Sequence, residues 1–378
     1  MVNGPLGRKL RMGIIGGGAL SFIGKVHRTA AQLDLRAELV AGAFSSDPAK
    51  SIAAGRQLAL NPARVYATWT EMLDAERRLP ADKRIDFVTV ATPNDTHFQL
   101  AGSALAAGFH VVCDKPMTNG IAEAEQLAEQ VARSGRVFLL THNYTGYPQV
   151  RLARQLIESG ELGEIQAVRV HYLQGWMRSR PPGQVYPRGN WKYEAGRAGV
   201  SGTFGDVGSH AYHLARFVTQ IRPTRVSATL RAFSPGGALD DYGVAVLRDD
   251  RAIITVTASQ VTHGRANDLT LEVDGVLGSL VWRQEQPDEL TLMRNGRPRE
   301  LLTRAGGGAD AAERFTRLPP GLPEGFIEAF ANLYNAAFDK MAGGQSATFP
   351  DERDGVEGVR FIHQVVASSA EQGRWLPL

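Results

Sequence analysis

The sequence has little cysteine, no long apolar run and no run of like charges. Its single cysteine, Cys113, excludes an internal disulfide framework and a zinc site built from several cysteines, and it fits a reducing compartment. No segment is long and apolar enough to span a bilayer, and residues 1–11 lack the apolar stretch of a signal peptide. We therefore expect a cytoplasmic protein that does not bind membranes.

The charges are mixed and nearly balanced. Lysine and arginine number 42 against 39 aspartates and glutamates, for a net charge of +3. Because the basic residues do not form clusters, the sequence does not predict nucleic-acid binding. The 378 residues exceed one ordinary core and suit two domains.

Residues 12–140 alternate short apolar runs with longer amphipathic stretches. Asp47 is the expected N-cap of a helix that has Pro48 at its first position. The alternation of strand and helix predicts a doubly wound parallel sheet. The predicted strands are 12–15, 38–44, 87–91, 110–113 and 137–141, and the predicted helices are 24–33, 48–58, 97–107 and 122–134.

The pattern changes after about residue 145. Turn residues rather than helices join the later strands, which is typical of an open, mostly antiparallel sheet. We expect a first domain at 1–144 and an α+β domain at 145–378, with the final helices able to pack back on the first domain. The predicted strands are 165–173, 226–233, 244–247, 252–261 and 269–273, and the predicted helices are 150–159, 210–218, 326–341 and 356–369.

A glycine turn, Gly16-Gly17-Gly18, follows the first strand and precedes a helix. Such a turn lets the backbone approach a pyrophosphate, while the helix N-terminus offers free N–H groups. The third glycine of the usual G-x-G-x-x-G spacing is replaced by Ser21, so the loop is expected to be longer than standard. The motif predicts a dinucleotide site, and an ordinary glycine turn is the alternative.

The second strand ends without the acidic residue that commonly holds the ribose 2′-hydroxyl of NAD. Ser45 and Ser46 stand there, and Lys50 is nearby. Hydroxyl groups and a lysine tolerate a 2′-phosphate, so both NAD and NADP remain open as cofactors.

Several short motifs, taken together and in order, identify a family resemblance. They are the glycine turn, residues 91–94 (Ala-Thr-Pro-Asn) with His97, residues 113–116 (Cys-Asp-Lys-Pro), and residues 205–210 (Gly-Asp-Val-Gly-Ser-His). The chain resembles the glucose–fructose oxidoreductase / inositol dehydrogenase (Gfo/Idh/MocA) family along nearly its whole length. The resemblance implies a Rossmann domain, a second domain whose open sheet buries its outer face in a homodimer or homotetramer, and oxidation of a secondary alcohol of a sugar, inositol or glycoside.

The resemblance also implies which residues form the site. Lys115, Asp206 and His210 match the catalytic residues of the family, and His213 departs from an acidic residue found in many relatives. The expected cofactor-binding residues are Gly16, Gly17, Gly18, Ser21, Ile23, Ser45, Ser46, Thr92, Pro93, Asn94, His97, Asp114, Lys115 and Asn143. The expected substrate-binding residues are Lys115, Tyr144, Trp176, Trp191, Asp206, His210 and His213.

The expected chemistry requires a base, because hydride leaves a secondary alcohol only as its hydroxyl proton is taken. Histidine titrates near neutrality, and His210 is the candidate. Asp206 lies four residues earlier and would share a helical face with it. Lys115 would add positive charge beside the developing alkoxide. The alternatives are a surface lysine, an N-cap role for Asp206, and His213 as the base.

The loop 174–197 is long enough to suggest a function, either in substrate binding or as a lid or dimer arm. Aromatic and guanidinium groups suit a polyol or glycoside. The loop carries Trp176, Tyr186, Trp191, Tyr193, Arg178, Arg180, Arg188 and Arg197.

No histidine set has convincing ligand spacing, so no metal is expected. The sequence thus predicts an NAD(P)-dependent oxidoreductase acting on CH–OH groups. A dinucleotide-dependent sensor without net turnover and an NAD-assisted glycoside-cleaving enzyme are the alternatives.

Overall fold

A computed structural model of the chain describes residues 3–177, 191–234, 236–304 and 310–378. The chain divides into two units. The first consists of Met1–Asn143 and Phe326–Val356, and the second of Tyr144–Gly325 and Glu357–Leu378. The division falls one residue before the boundary expected from the sequence. Phe326–Val356 belongs to the first unit, a return that the expectation for the final helices allowed.

The first unit is built on a parallel sheet with the strand order β2-β1-β3-β4-β5. The central strand β1 pairs with β2 on one side and β3 on the other, so the strand order reverses beside the end of β1. Ligands of such sheets bind at this reversal, outside the carboxyl ends of the strands. The strands are β1 (Leu10–Gly16), β2 (Ala37–Ala43), β3 (Phe87–Ala91), β4 (His110–Cys113) and β5 (Phe138–Leu140).

Amphipathic helices connect these strands. The helices are α1 (Phe22–Gln32), α2 (Pro48–Gln57), α3 (Trp69–Arg78), α4 (His97–Ala106) and α5 (Ile121–Ser134). Asp47 caps α2 by accepting hydrogen bonds from the N–H groups of Ala49 and Lys50, which confirms the predicted cap. Helix α3 is absent from the sequence prediction, although Thr68 and Glu71 have the spacing of a capping box.

The core of the first unit is completed by a later helix, α10 (Phe326–Met341), which packs on α1. The ring of His27 on α1 lies edge-on to Phe330, with 5.4 Å between the ring centroids. The hydroxyl of Tyr334 is 2.9 Å from Nδ1 of His27 and 3.1 Å from Oγ1 of Thr89 on β3. Burial lowers the pKa of His27, so this buried ring is held neutral.

The second unit contains a mixed sheet with the strand order β13-β12-β11-β10-β6-β9-β8-β7-β14. Its described neighbours pair antiparallel, except β6 and β9, which run parallel. The strands are β6 (Ile165–Leu173), β7 (Arg225–Arg231), β8 (Tyr242–Arg248), β9 (Ile253–Ser259), β10 (Asp268–Gly275), β11 (Gly278–Arg283), β12 (Glu289–Arg294), β13 (Glu300–Thr303) and β14 (Leu376–Pro377). The predicted open, mostly antiparallel sheet is confirmed.

Helices cover one face of this sheet. Helix α8 lies against β6, β9 and β10, and α6 lies against β11 and β12. The ring of Tyr212 on α8 stacks on Phe361 of α11, with centroids 4.0 Å apart. The helices are α6 (Pro148–Glu158), α7 (Ala195–Ala198), α8 (Ser209–Thr219), α9 (Asp310–Glu313) and α11 (Glu352–Ala370), whose first residues belong to the first unit. In the described part of the chain, no helix combines the length and apolarity needed to cross a bilayer.

Candidate active site

The glycine turn after β1 has a backbone that only glycine adopts readily. Gly16 and Gly17 have φ angles of +78° and +57°. A β-carbon on Gly16 would lie 2.4 Å from the carbonyl oxygen of Ala91, at the end of the neighbouring strand β3. The turn is therefore packed closely against the end of β3.

The third glycine of this motif is Gly24 rather than the residue at position 21. A β-carbon on Gly24 would lie 2.3 Å from the carbonyl oxygen of Gly17, so helix α1 packs on the turn at this point. Ser21 is instead the N-cap of α1, and its Oγ accepts a hydrogen bond of 3.1 Å from the Gly24 N–H. Ile23 is half-buried against the core. Arg28, buried on α1, donates to the Gly17 carbonyl and holds the turn from below.

Two serine hydroxyl groups follow the end of β2. The carboxylate of the next residue, Asp47, is used elsewhere. Ser45 is half-buried and Ser46 is exposed. Asp47 accepts its two cap hydrogen bonds and lies 3.6 Å from the ammonium of Lys50. These bonds lower the pKa of Asp47, and its carboxylate is already engaged in capping α2.

His97 ties together the loops that follow β3 and β4. The ring is fully buried, with Nδ1 2.8 Å from the carbonyl oxygen of Pro116 and Nε2 3.0 Å from that of Thr92. Because both ring nitrogens contact backbone carbonyls, His97 is placed to position these loops. The expected contact of His97 with the cofactor stays a prediction.

The two loops carry the expected residues at the carboxyl ends of their strands. Thr92 accepts a hydrogen bond from Thr96, and Asn94 begins a 3₁₀ turn after Pro93. Asp114 accepts hydrogen bonds from the Lys115 N–H at 3.0 Å and from Oγ1 of Thr141 at 2.9 Å. Lys115 is half-buried at the end of β4. Asp114 therefore fixes the backbone from which Lys115 projects.

Asn143 is the last residue of the first unit before the chain enters the second. It is 2% exposed, and within the described ranges its Nδ2 group has no hydrogen-bond partner. A buried amide N–H without a partner is costly, so this group needs an acceptor that the described residues do not supply.

Asp206 in the second unit lies on a π-helical turn, Phe204–Gly208, directly before α8. The alternative role of Asp206 as an N-cap is wrong, because α8 continues from the π turn and has no side-chain cap. The start of the turn is held by Asp240, which accepts from Oγ of Ser201 at 2.7 Å and from the N–H groups of Gly202 and Phe204 at 2.9 Å. Turns of this type are frequent at functional sites.

Gln260 and Lys192, both in the described part of the chain, approach the side chain of Asp206 as donors. Its Oδ2 accepts a hydrogen bond of 2.9 Å from Nε2 of Gln260 and lies 3.4 Å from Nζ of Lys192. Lys192 is 45% exposed, whereas Gln260 is 5% exposed. The buried amide therefore fixes the orientation of the carboxylate more firmly than the long, half-exposed lysine.

His210 is buried on α8 next to a pair of tyrosines. The ring of Tyr144 meets it edge-on, with 4.9 Å between the centroids. The hydroxyl of Tyr144 contacts the hydroxyl of Tyr172, and Tyr172 donates to Oδ1 of Asn267 at 2.7 Å. Burial raises the pKa of Tyr144 to about 12, so the phenol stays protonated at neutral pH. Tyr144, expected to contact substrate, thus also holds His210 in place.

The sequence analysis missed Tyr172, Gln174, Gln260 and Asn267. They lie at one edge of the second sheet, where β6 and β9 end and β10 begins, because Leu173 pairs with Ser259 on one side and with Asp268 on the other. A polar residue directly after each of two adjacent strands was the available signal. It became visible only once the pairing of the strands was known.

Of the remaining expected substrate residues, Trp176 contacts this edge through Gln174. Nε1 of Trp176 donates to Oε1 of Gln174 at 3.0 Å, and its ring is 37% exposed. Trp191 is half-buried, with Nζ of Lys192 5.9 Å from its ring centroid. His213 is 3% exposed, and its ring lies beside Phe217. Outside the described residues lie Arg178, Arg180, Tyr186, Arg188 and the side chain of Tyr193.

Two further features bear on the chemistry. Burial raises the pKa of the Cys113 thiol well above its usual range, which suits a structural rather than a nucleophilic cysteine. Among the residues that the structure describes, no group of three or more histidine, cysteine, aspartate or glutamate side chains could hold a metal ion.

Comparisons with known proteins agree with both units. Residues 10–142 match the sequence model of an oxidoreductase family with an NAD-binding Rossmann fold, and residues 150–281 match that of the GFO/IDH/MocA C-terminal domain. The crystal structure of an oxidoreductase from Sinorhizobium meliloti is 39% identical with a TM-score of 0.88, covering 98% of this chain and 99% of that chain.

Two relatives have more specific descriptions. An inositol dehydrogenase homologue from Azotobacter vinelandii, crystallised with NADH and myo-inositol, is 33% identical with a TM-score of 0.91 and 98% of each chain covered. Levoglucosan dehydrogenase of Pseudarthrobacter phenanthrenivorans is 29% identical over 407 residues, covering 98% of both chains. The chain therefore belongs to the Gfo/Idh/MocA family of oxidoreductases, with an NAD-binding Rossmann fold in its N-terminal part.

Proposed function

We propose that this protein is an NAD(P)-dependent dehydrogenase that oxidises a secondary hydroxyl of a sugar, inositol or glycoside, or catalyses the reverse reduction. The observation that carries the proposal is a buried His210 that follows, four residues later, an Asp206 carboxylate held by Gln260 at a polar sheet edge. Aspartate, amide and indole groups suit a ligand rich in hydroxyl groups. The relatives named for myo-inositol and levoglucosan support the same substrate class.

The glycine turn fits a dinucleotide. β-Carbons at Gly16 and Gly24 would overlap neighbouring backbone, so the tight turn requires glycine, and α1 begins shortly after it at Phe22, so its first N–H groups can bind phosphate. The buried Asn143 amide offers a donor to the same ligand. At the adenosine end, the hydroxyl groups of Ser45 and Ser46 can hydrogen-bond to a free 2′-hydroxyl and can donate to a 2′-phosphate. We propose NAD as the main cofactor because the relative with myo-inositol was crystallised with NADH.

In the proposed reaction, a bound nicotinamide cofactor would supply the acceptor for the hydride of the carbinol carbon. His210 takes the hydroxyl proton, so the alcohol becomes a ketone and the imidazole becomes imidazolium. Asp206 orients the substrate and favours that imidazolium electrostatically. Lys115 supplies positive charge to the reacting oxygen as its negative charge develops, and it helps to place the nicotinamide ring. His213 remains the alternative base.

The direct test is reduced-nicotinamide absorbance across a panel of sugars, inositols and glycosides, with NAD and NADP in parallel. Steady NADH or NADPH production supports the dehydrogenase. A sugar released without net reduction of the cofactor would indicate glycoside cleavage instead. Tight cofactor binding with neither product would indicate a sensor, and either result would overturn the proposal.

The proposed catalytic roles predict a large loss of turnover in two variants. Lys115→Ala and His210→Ala should each lower kcat by about 100-fold or more, because each removes charge or proton transfer from the reacting oxygen. The Kd for NADH, measured by fluorescence titration, should change little. Lys25→Ala and His263→Ala are matched controls at exposed positions and should keep wild-type kcat. Near-normal kcat in both active-site variants would contradict the mechanism.

We also propose that the protein forms a homodimer, or a homotetramer built from such dimers, through the outer face of the second sheet. That face carries Arg169 in ion pairs with Glu272 and Asp274, at 2.9 Å and 2.5 Å, next to exposed Ile253 and Val244. Light scattering should give at least twice the 41.0 kDa chain mass. Ile253→Lys should lower the measured mass, and a wild-type monomer would contradict the proposal.

A further inference from the structure

Gln260 is the first amide in a series of hydrogen-bonded amide side chains that begins at Asp206. Its Nε2 donates to Asp206 at 2.9 Å and approaches Oε1 of Gln174 at 3.4 Å, while its Oε1 accepts from Thr203 Oγ1 at 3.1 Å. Nε2 of Gln174 in turn donates to Oδ1 of Asn267 at 2.8 Å. Three amides from the ends of three strands thus connect Asp206 to the tyrosines beside His210.

The donor and acceptor orientation of these amides is fixed by two groups that can each play only one part in a hydrogen bond. A carboxylate only accepts, so Gln260 must turn its NH₂ group toward Asp206. An indole N–H only donates, so Gln174 must turn its oxygen toward Trp176, which leaves its NH₂ group for Asn267. Neither amide can flip without placing two donors or two acceptors face to face.

The same polarity reaches the histidine through Tyr144. Nδ2 of Asn267 donates to the Tyr144 hydroxyl at 3.3 Å, and the Tyr144 ring packs on His210. A continuous series of hydrogen bonds therefore links Asp206 to Tyr144. The ring of Tyr144 in turn packs against His210, the proposed catalytic partner of Asp206. Such a satisfied buried network fixes side-chain positions more tightly than separate contacts do.

We propose that Gln260 is a positioning residue, which holds the Asp206 carboxylate in the orientation needed for the reaction without touching the reacting atoms. The inference rests on the proposed dehydrogenase function and goes beyond it by assigning a role to a residue outside the family motif. Gln260 is 5% exposed, so water cannot easily take over its hydrogen bond to Asp206 when the amide is removed.

The first test replaces the amide with an apolar group of similar size. In Gln260→Leu, kcat for the best panel substrate should fall by about 10-fold or more, while the KM for NAD stays within about twofold of wild type. Gln149→Leu is the matched control, because Gln149 is also a buried glutamine of the second unit and donates to the Leu302 carbonyl instead. Equal kcat in wild type and Gln260→Leu would overturn the proposal.

A second variant gives a readout that a merely structural role would not move. In Gln260→Glu, the introduced carboxyl can donate to Asp206 only while the pair holds a proton, because two adjacent carboxylates repel when both ionise. The ratio of variant to wild-type kcat should be near one at pH 5.5 and should fall by about 10-fold by pH 8.5. A ratio independent of pH would overturn the proposal.

A third measurement requires no turnover. It distinguishes failure of the positioning role of Gln260 from failure of the proposed dehydrogenase function. Crystal structures of wild type and Gln260→Leu with NADH should show the Asp206 carboxylate rotated away in the variant. An unmoved carboxylate overturns the positioning role even if the protein proves inactive on every polyol. Inactivity of wild type on the panel, with a rotated carboxylate in the variant, overturns the proposed function and leaves the positioning of Asp206 by Gln260 established.

Discussion

The glycine turn of the first unit and the polar edge of the second are built by different means. The turn is a backbone shape, set by positive φ angles and by the missing β-carbons of Gly16, Gly17 and Gly24. The polar edge is a set of side chains from three strands and a helix, held by hydrogen bonds between amides, hydroxyls and a carboxylate. A site made by backbone shape suits a constant ligand such as a dinucleotide. A site made by side chains can change its substrate through a few substitutions.

The largest expected effect tests the backbone site. Gly24→Ala should lower the free energy of unfolding by about 3 kcal/mol or more, because its β-carbon would overlap the Gly17 carbonyl. In an ordinary helix position the same change stabilises by about 1 kcal/mol, so the sign itself is informative. Urea denaturation without cofactor is the measurement.

Gly18→Ala is the matched control in the same turn. Its β-carbon would meet only the Phe44 carbonyl oxygen, at an ordinary 3.4 Å, so the stability of the cofactor-free protein should change little. If both variants lose equal stability, backbone shape at Gly24 is not what closes the turn.

The next effect concerns the histidine that braces the two loops of the first unit. His97→Leu should lower the free energy of unfolding by about 2 kcal/mol, since it removes the imidazole N–H from one of the Pro116 and Thr92 carbonyls and the ring contact from the other. His263→Leu, at an exposed position, should change it by less than about 0.5 kcal/mol. Normal stability with weakened NADH binding would instead show that His97 acts at the cofactor.

The smallest effect is a pH dependence in the first sheet. Burial, with the nearby Arg136, lowers the pKa of His110 to about 4, and its Nδ1 accepts a hydrogen bond of 2.8 Å from the Val137 N–H. The unfolded chain therefore binds the proton first, so stability is full above about pH 6.5 and falls as the pH approaches 4.

His110→Asn keeps an acceptor at this position without the titration. Between pH 7 and pH 4.5, wild type should lose about 1–2 kcal/mol more stability than the variant, with allowance for the partial exposure of the ring. Urea denaturation at both pH values measures the difference. Parallel losses in the two proteins would assign the acid sensitivity to other groups.

The two units also differ in how far the sequence predicted them. Strands β3, β4 and β6 and helix α10 begin and end where their patterns predict. Helix α3 and strands β11, β12 and β13 were missed. Helix α3 is short and contains several charged residues. The three strands are short and separated by turns with glycine and charged residues, so their burial depends on neighbours distant in sequence.

The sequence by itself determined the parallel character of the first sheet, the mostly antiparallel character of the second, the position of the dinucleotide turn and the family. These follow from signals within short stretches, since periodicity and the need for glycine are local properties. Only the tertiary structure identified Gly24 as the third glycine, gave His97 a bracing role and joined Gln260 to Asp206. That last contact joins residues 54 positions apart, and the contact between Gln174 and Asn267 joins residues 93 positions apart. Strand pairing creates such neighbours, and no local pattern in the sequence records them.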